Sequence, residues 1–200
     1  MRTNRRKLIA SHGLPSNYER LEYIENISTS YIDCGLPPKY TFDYEIKAFV
    51  FSGHVVLGYE TPGDNHDYRF FWVNNNYYFD VGKARILMHT GVIVSPSYYH
   101  AKFGNYYINS IYPSMDPSKV TGSTFNETMN GASIKNLFLF GENSNCSKKG
   151  KVYFLKIKDS GKFIRDFIPA KRKSDGVIGM YDLVGRKFYT SPNGVAFTGG

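Results

Sequence analysis

Residues 40 to 51 read YTFDYEIKAFVF, and apolar and polar residues alternate as far as Ala48. Tyr40, Phe42, Tyr44, Ile46, Ala48 and Val50 fall on one side of a two-residue period, and Thr41, Asp43, Glu45 and Lys47 on the other. Only an extended chain sends every second side chain to one face, so the segment predicts a strand with one dry and one wet side. A helix would scatter the same apolar residues around its axis.

The rest of the chain repeats this grammar in short pieces. HVVLGYE (54–60), YRFFWV, YYFDVG, ARILMH (84–89), YYHAKF, YYINSIY, NLFLFGE (136–142), KVYFLKIK, KFIRDFI, GVIGMYDL, KFYT and GVAFTG are apolar or aromatic runs of strand length. Asn74-Asn75-Asn76, Gly104-Asn105, Asp159-Ser160-Gly161 and Gly185-Arg186 separate neighbouring runs. Asn and Gly tolerate the left-handed backbone that tight hairpins need. The 17 Tyr and 15 Phe suit half-buried pleated surfaces. No segment carries a sustained helical stripe. The nearest, with Leu21, Ile24 and Ile27 at three-residue spacing, adjoins a Ser-Thr-Ser turn and reads as strand or irregular chain. About a dozen short strands predict an all-β sandwich. Residues 113–135, rich in Ser, Thr, Asn, Gly and Pro, read as a long surface loop.

Charge divides the chain in two. The net charge is +8, and half of it comes from Arg2, Arg5, Arg6 and Lys7 in a stretch with no acid. Pro15 disfavours helix continuation, so we expect a basic arm over 1–13 and one domain over 14–200. Such an arm suits an acidic partner, whether nucleic acid, membrane surface or protein. Cys34 and Cys146 make no disulfide framework, and spacing alone leaves their pairing open. After the basic residues the apolar stretch is only Leu8-Ile9-Ala10, too short for a secretory signal, and no run reaches membrane-spanning length. The expectation is a soluble chain made in a reducing cytoplasm.

Motifs for common chemistries are absent from the sequence. Sandwich glycosidases often carry Glu-x-Asp-x-x-Glu on one strand face to place two carboxylates. Here Glu19, Glu22 and Glu25 are three apart, and Asp43 and Glu45 share the wet face of their strand. His12, His54, His66, His89 and His100 are scattered, with no His-x-His or Cys-x-x-Cys. There is no Gly-x-Ser-x-Gly elbow, phosphate loop or dinucleotide fingerprint. The expectation is a protein that is not an enzyme and needs no cofactor. One oxygen-rich turn, with Asp64, Asn65 and Asp67, has the donors to hold Ca²⁺, and the same residues are ordinary turn formers.

A sugar site needs a ring to stack on and polar groups for the hydroxyls. Trp72, Asn74, Asn75, Asn76, Tyr77 and Tyr78 supply both around one hairpin. Tyr98-Tyr99 and Tyr106-Tyr107 must each point one ring away from the core. Cross-strand packing on a sheet surface is the structural alternative for all of these rings. The densest charge lies in RDFIPAKRKSDGVIGMYDLVGRKFYT, residues 165 to 190, with Arg165, Asp166, Lys171, Arg172, Lys173, Asp175 and Asp182.

Two terminal segments carry a family likeness. LPSNYERLEYIENISTSYIDCGLPP (14–38) resembles the opening of a concanavalin A-like lectin/glucanase domain of the laminin-G-like jelly-roll type. GKVYFLKIKDSGKFIRDFIPAKRKSDGVIGMYDLVGRKFYTSPNGVAFTG (150–199) resembles its closing strands. Residues 40–149 match only as a succession of strands. Cys34 stands where the family usually has Thr.

The resemblance implies that 150–199 is scaffold. Tyr153, Leu155 and Ile157 would alternate into the core, and Asp166 and Arg172 would pair across strands. Pro169 would end a ladder, Asp175-Gly176 would turn the chain, and Gly179 would permit close packing. Domains of this kind are common in structural and tail proteins of phages of gut bacteria. The implied function is therefore a non-enzymatic virion protein, made in the host cytoplasm and carried on the tail or capsid surface. Its arm would contact other virion proteins, and its sandwich would face host or mucosal glycans. A homo-oligomer is expected, a trimer by analogy; nucleic acid and membrane insertion are not. The alternatives are a bacterial cell-surface carbohydrate-binding module, a glycan hydrolase and a purely architectural decoration protein.

Overall fold

In the computed structural model the described residues are 13–39, 41–50, 54–59, 67–73, 76–82, 84–90, 97–104, 107–110, 136–141 and 149–200. Sixteen strands lie among them, and no helix. They are β1 (Tyr18–Arg20), β2 (Ile24–Asn26), β3 (Ile32–Asp33), β4 (Phe42–Val50), β5 (His54–Tyr59), β6 (Asp67–Val73), β7 (Asn76–Gly82) and β8 (Ala84–Thr90). Then come β9 (Ser97–Gly104), β10 (Tyr107–Ser110), β11 (Phe138–Leu139), β12 (Gly150–Asp159), β13 (Lys162–Arg172), β14 (Ile178–Asp182), β15 (Lys187–Tyr189) and β16 (Thr198–Gly199). The all-β expectation holds, with every pairing antiparallel.

The strands form two sheets. The larger runs β10-β9-β4-β12-β13-β14-β15, with β1 on β13, β2 on β12 and β16 on β2. The smaller runs β3-β11-β5-β6-β7-β8. One buried cluster takes Ile32, Cys34, Leu57, Phe70, Leu139 and Phe140 from the smaller sheet's side. It takes Phe42, Tyr44, Ile46, Ala48, Val152, Leu155, Ile157, Phe167 and Met180 from the larger. Two sheets sharing one apolar layer give a sandwich-like fold, and each large side chain buried there contributes roughly 1.5–3 kcal/mol.

Strand β4 obeys its sequence period. Phe42, Tyr44, Ile46 and Ala48 are buried, while Asp43, Glu45 and Lys47 between them are half-exposed. Strand β12 departs from simple alternation. Val152 opposes Ala48 on β4, and Phe154 opposes Lys47, leaving Tyr153 as the extra residue of a bulge. The bulge lets Val152 and Leu155, an odd number apart, both enter the core. Tyr153 is therefore buried outside the main cluster, 5.8 Å from the Tyr23 ring, rather than alternating with Leu155 and Ile157.

Strands β12 and β13 form a hairpin through Ser160 (φ 50°) and Gly161 (φ 80°), the left-handed turn that Ser-Gly foretold. The hairpin then forks. β13 pairs β12 up to Phe167 and pairs β1 from Ala170. Pro169 sits inside β13 at this change of partner, opposite Met180, and its carbonyl accepts a hydrogen bond from Leu21 N–H at 3.1 Å. The expected ladder end is thus a handover between partners, where a missing N–H is tolerated. Asp166 and Arg172 both lie on β13 and cannot pair across strands. Arg172 instead grips Asp175 in the following turn, with N···O as short as 2.6 Å.

The N-terminal segment joins the larger sheet through β1, beside β13, and its side chains pack apart from the main core. Leu14 and Tyr18 pack on Ile168, Ala170, Tyr181, Leu183 and Phe188, a cluster separate from the main core. The Tyr18 ring sits 4.9 Å from Tyr181 and 5.0 Å from Phe188.

Candidate functional site

The charged stretch 165–190 is resolved as a built polar cluster. Arg165 opposes Ile157, a core residue, so its side chain enters between the sheets. Asp182 ends β14 opposite Phe167 and is fully buried. Asp182 Oδ1 accepts the N–H groups of Asp166 at 2.9 Å and Val184 at 3.1 Å, which shapes the turn into β15. Its other oxygen lies 3.6 Å from Arg165 Nε.

The guanidinium reaches across to the smaller sheet. Nε donates to the Cys34 carbonyl at 3.2 Å, Nη2 to the Gly35 carbonyl at 3.3 Å, and Nη1 to the Ile164 carbonyl at 2.8 Å. Asp33 finishes the corner: Oδ1 accepts Gly35 N–H at 2.8 Å and Oδ2 accepts from Asn136 Nδ2 at 3.2 Å. Burial pushes the Cys34 thiol far above its ordinary range, with the Asp33 charge adding to it, which favours the protonated form. Burial also raises the Tyr189 hydroxyl. A general acid or base must meet its substrate, and the Asp182 side chain has no exposure at all. The cluster is a clamp between the sheets.

The outer face of the larger sheet is lined by rings under lysines. Lys151 Nζ stands 4.0 Å from the Tyr23 ring centre, Lys47 Nζ 4.6 Å from Tyr153, Lys156 Nζ 5.1 Å from Phe154 and Lys158 Nζ 4.7 Å from Phe163. Each of these cation–π contacts covers one face of its ring. Lys156 and Phe154 are two apart on one strand, and Lys158 and Phe163 are register partners. Only the Phe154–Lys156 spacing could have been read from the sequence, since Lys158 and Phe163 meet through the hairpin register. Asp166 shares this face, directly across from Lys156. Burial raises its carboxyl above the ordinary range, helped by Asp182 and Glu45 and opposed by Lys156 and Arg20.

The expected glycan residues fall on the β6–β7 hairpin. Trp72 is the register partner of Tyr77, Phe71 of Tyr78 and Val73 of Asn76. Asn76 thus begins β7 instead of sitting in the turn, and Asn74 and Asn75 lie outside the described residues. Of the expected Ca²⁺ donors, Asp67 begins β6 opposite Gly82, while Asp64 and Asn65 lie outside the described residues. Among the described residues no three His, Cys, Asp or Glu groups are placed to hold a metal. Arg2, Arg5, Arg6, Lys7, Cys146 and the loop 113–135 also lie outside them. Cys34 is a free thiol.

No family model, curated protein or solved structure matches this chain.

Proposed function

We propose that the chain is a non-enzymatic structural protein of a phage virion, a tail or capsid-surface component. Its sandwich is a concanavalin A-like jelly roll presented to host or mucosal glycans, and its basic arm holds it to other virion proteins. The observation that carries this reading is the fixed root of the arm. Leu14 and Tyr18 are seated in an aromatic cluster apart from the main core, so the chain is held against the domain soon after the basic stretch of Arg2, Arg5, Arg6 and Lys7 in the sequence. Four like charges close together in sequence suit an acidic protein surface. The sealing of Asp182 into the fold supports the non-enzymatic part of the reading.

Co-sedimentation with purified virions tests it. Full-length protein is expected to pellet with particles, and residues 14–200 to stay in the supernatant. Equal pelleting of both would remove the arm from the account. No pelleting of either would remove the virion.

A further inference from the structure

We propose that Asn193 is a site of spontaneous deamidation held in check by the fold, and that the reaction opens a clasp between the Ser191–Gly194 turn and the Thr29 loop. The inference is independent of the virion reading.

An Asn-Gly pair is open to this chemistry because glycine has no side chain to hinder its own nitrogen. The Gly194 nitrogen attacks Asn193 Cγ and a C–N bond forms. The Cγ–Nδ2 bond breaks, and the side-chain nitrogen leaves as ammonia with the proton lost from Gly194. Water then opens the cyclic imide at either carbonyl, giving aspartate or isoaspartate. One water is consumed and one ammonia released, with no change of oxidation state. Asn193 and Gly194 are both exposed, and a Cβ on Gly194 would meet nothing within 4 Å. Packing therefore does not shield the bond.

Hydrogen bonds do. Ser191-Pro192-Asn193-Gly194 is a β-turn closed by Gly194 N–H, the nucleophile, donating to the Ser191 carbonyl at 3.2 Å. Asn193 Oδ1 accepts from Ser191 Oγ at 2.6 Å and from Val195 N–H at 3.1 Å, and Nδ2 donates to the Thr29 carbonyl at 2.9 Å. Attack requires the side-chain carbonyl carbon to swing onto the glycine nitrogen, and both groups are engaged elsewhere. The rate is then set by how often this surface turn opens.

The same amide joins two distant parts of the chain. Ser191 Oγ, which Asn193 orients, also accepts Tyr31 N–H at 3.1 Å. Deamidation replaces the Nδ2 donor with a carboxylate oxygen, which sets acceptor against acceptor at the Thr29 carbonyl. The contact is lost, and the loss is one-way. Asp175-Gly176 is built alike, with Asp175 Oδ1 accepting Val177 N–H at 3.1 Å and Gly176 N–H donating to the Arg172 carbonyl at 2.8 Å. There the side chain is a carboxylate paired with Arg172, a poor target for a nucleophile, so Asn193 is the reactive member of the two.

Peptide mapping by mass spectrometry tests the proposal on full-length protein incubated at mildly alkaline pH, reading aspartate and isoaspartate at Asn193. Mapping separates this site from Asn130-Gly131, which lies outside the described residues. The folded parent is expected to react slowly and the urea-unfolded parent fast. Folded Ser191→Ala should react about fivefold faster than the folded parent, the effect of losing one hydrogen bond from the turn. Equal rates in folded and unfolded parent would overturn the proposal, as would no reaction at Asn193 in urea or a folded Ser191→Ala as slow as the parent. Should Ser191→Ala fail to fold, the two parent rates decide. Asn193→Asp tests the clasp itself, with a lowered thermal midpoint expected, and a midpoint equal to the parent's would overturn the opening.

Discussion

Asp182 Oδ2 lies 3.6 Å from Arg165 Nε, and this one contact joins the turn of β14–β15 to the corner at Cys34 and Gly35 on the other sheet. The two residues are 17 apart in sequence and on neighbouring strands, yet both turn inward. Asp182 is sealed, and Arg165 keeps about a fifth of its side-chain surface, 21%. A buried pair of this kind is costly to break from one side, because the survivor is left uncompensated.

Asp182→Ala is therefore expected to destabilise the domain by about 3–5 kcal/mol, and Asp182→Asn by less, since its amide oxygen can still accept from Asp166 and Val184. Urea unfolding followed by tyrosine fluorescence measures both. Equal, small losses would show that the pair is not a clamp.

Asp166 gives the opposite sign. Its carboxyl is raised in the folded state, chiefly by burial, so the ionised form is disfavoured there relative to the unfolded chain. Folding stability falls as pH rises from the ordinary carboxylate value through the raised folded value, and stays reduced above it. Asp166→Asn should be more stable than the parent at pH 7. The advantage should shrink as pH falls through that same window. Urea midpoints across the acid range give the difference, and an advantage that grows on acidification would contradict the assignment.

Gly179 marks a close approach of β14 to β15. A Cβ there would lie 2.2 Å from the Tyr189 carbonyl oxygen and 3.1 Å from Phe188 Cζ. Gly179→Ala must push β15 away, at a cost of roughly 1–3 kcal/mol. Thermal unfolding should register a lowered midpoint, with the Tyr18 ring cluster loosened through Phe188.

Glycan recognition at the β6–β7 hairpin predicts a saturable change in Trp72 fluorescence when residues 14–200 are titrated with capsular or mucin glycans. Tyr77→Ala or Tyr78→Ala should abolish it. A flat titration on every glycan would leave the sandwich as an architectural element.

The strands were legible because their signal is local. Phe42, Tyr44, Ile46 and Ala48 reveal β4 by period alone, and Ser160-Gly161 and Asp175-Gly176 announce their turns by backbone tolerance. Legibility ended where geometry became non-local. The bulge at Tyr153 resets the alternation of β12, and nothing in a two-residue period anticipates it. Pro169 reads as a strand end and is instead the point where β13 exchanges β12 for β1. Arg165 and Asp182 stood in view as charges, but their burial depends on which faces of three strands turn inward. The lysine-covered rings were hidden for the same reason: Lys158 and Phe163 become neighbours only once the hairpin register is fixed.

The most direct test of the virion assignment is immunogold electron microscopy of intact, density-purified particles from a host expressing the protein, with antibody raised against residues 13–200. Regular label on one part of the particle, tail or capsid, is the predicted result. Label confined to the bacterial envelope or cytoplasm, with bare particles, would contradict it.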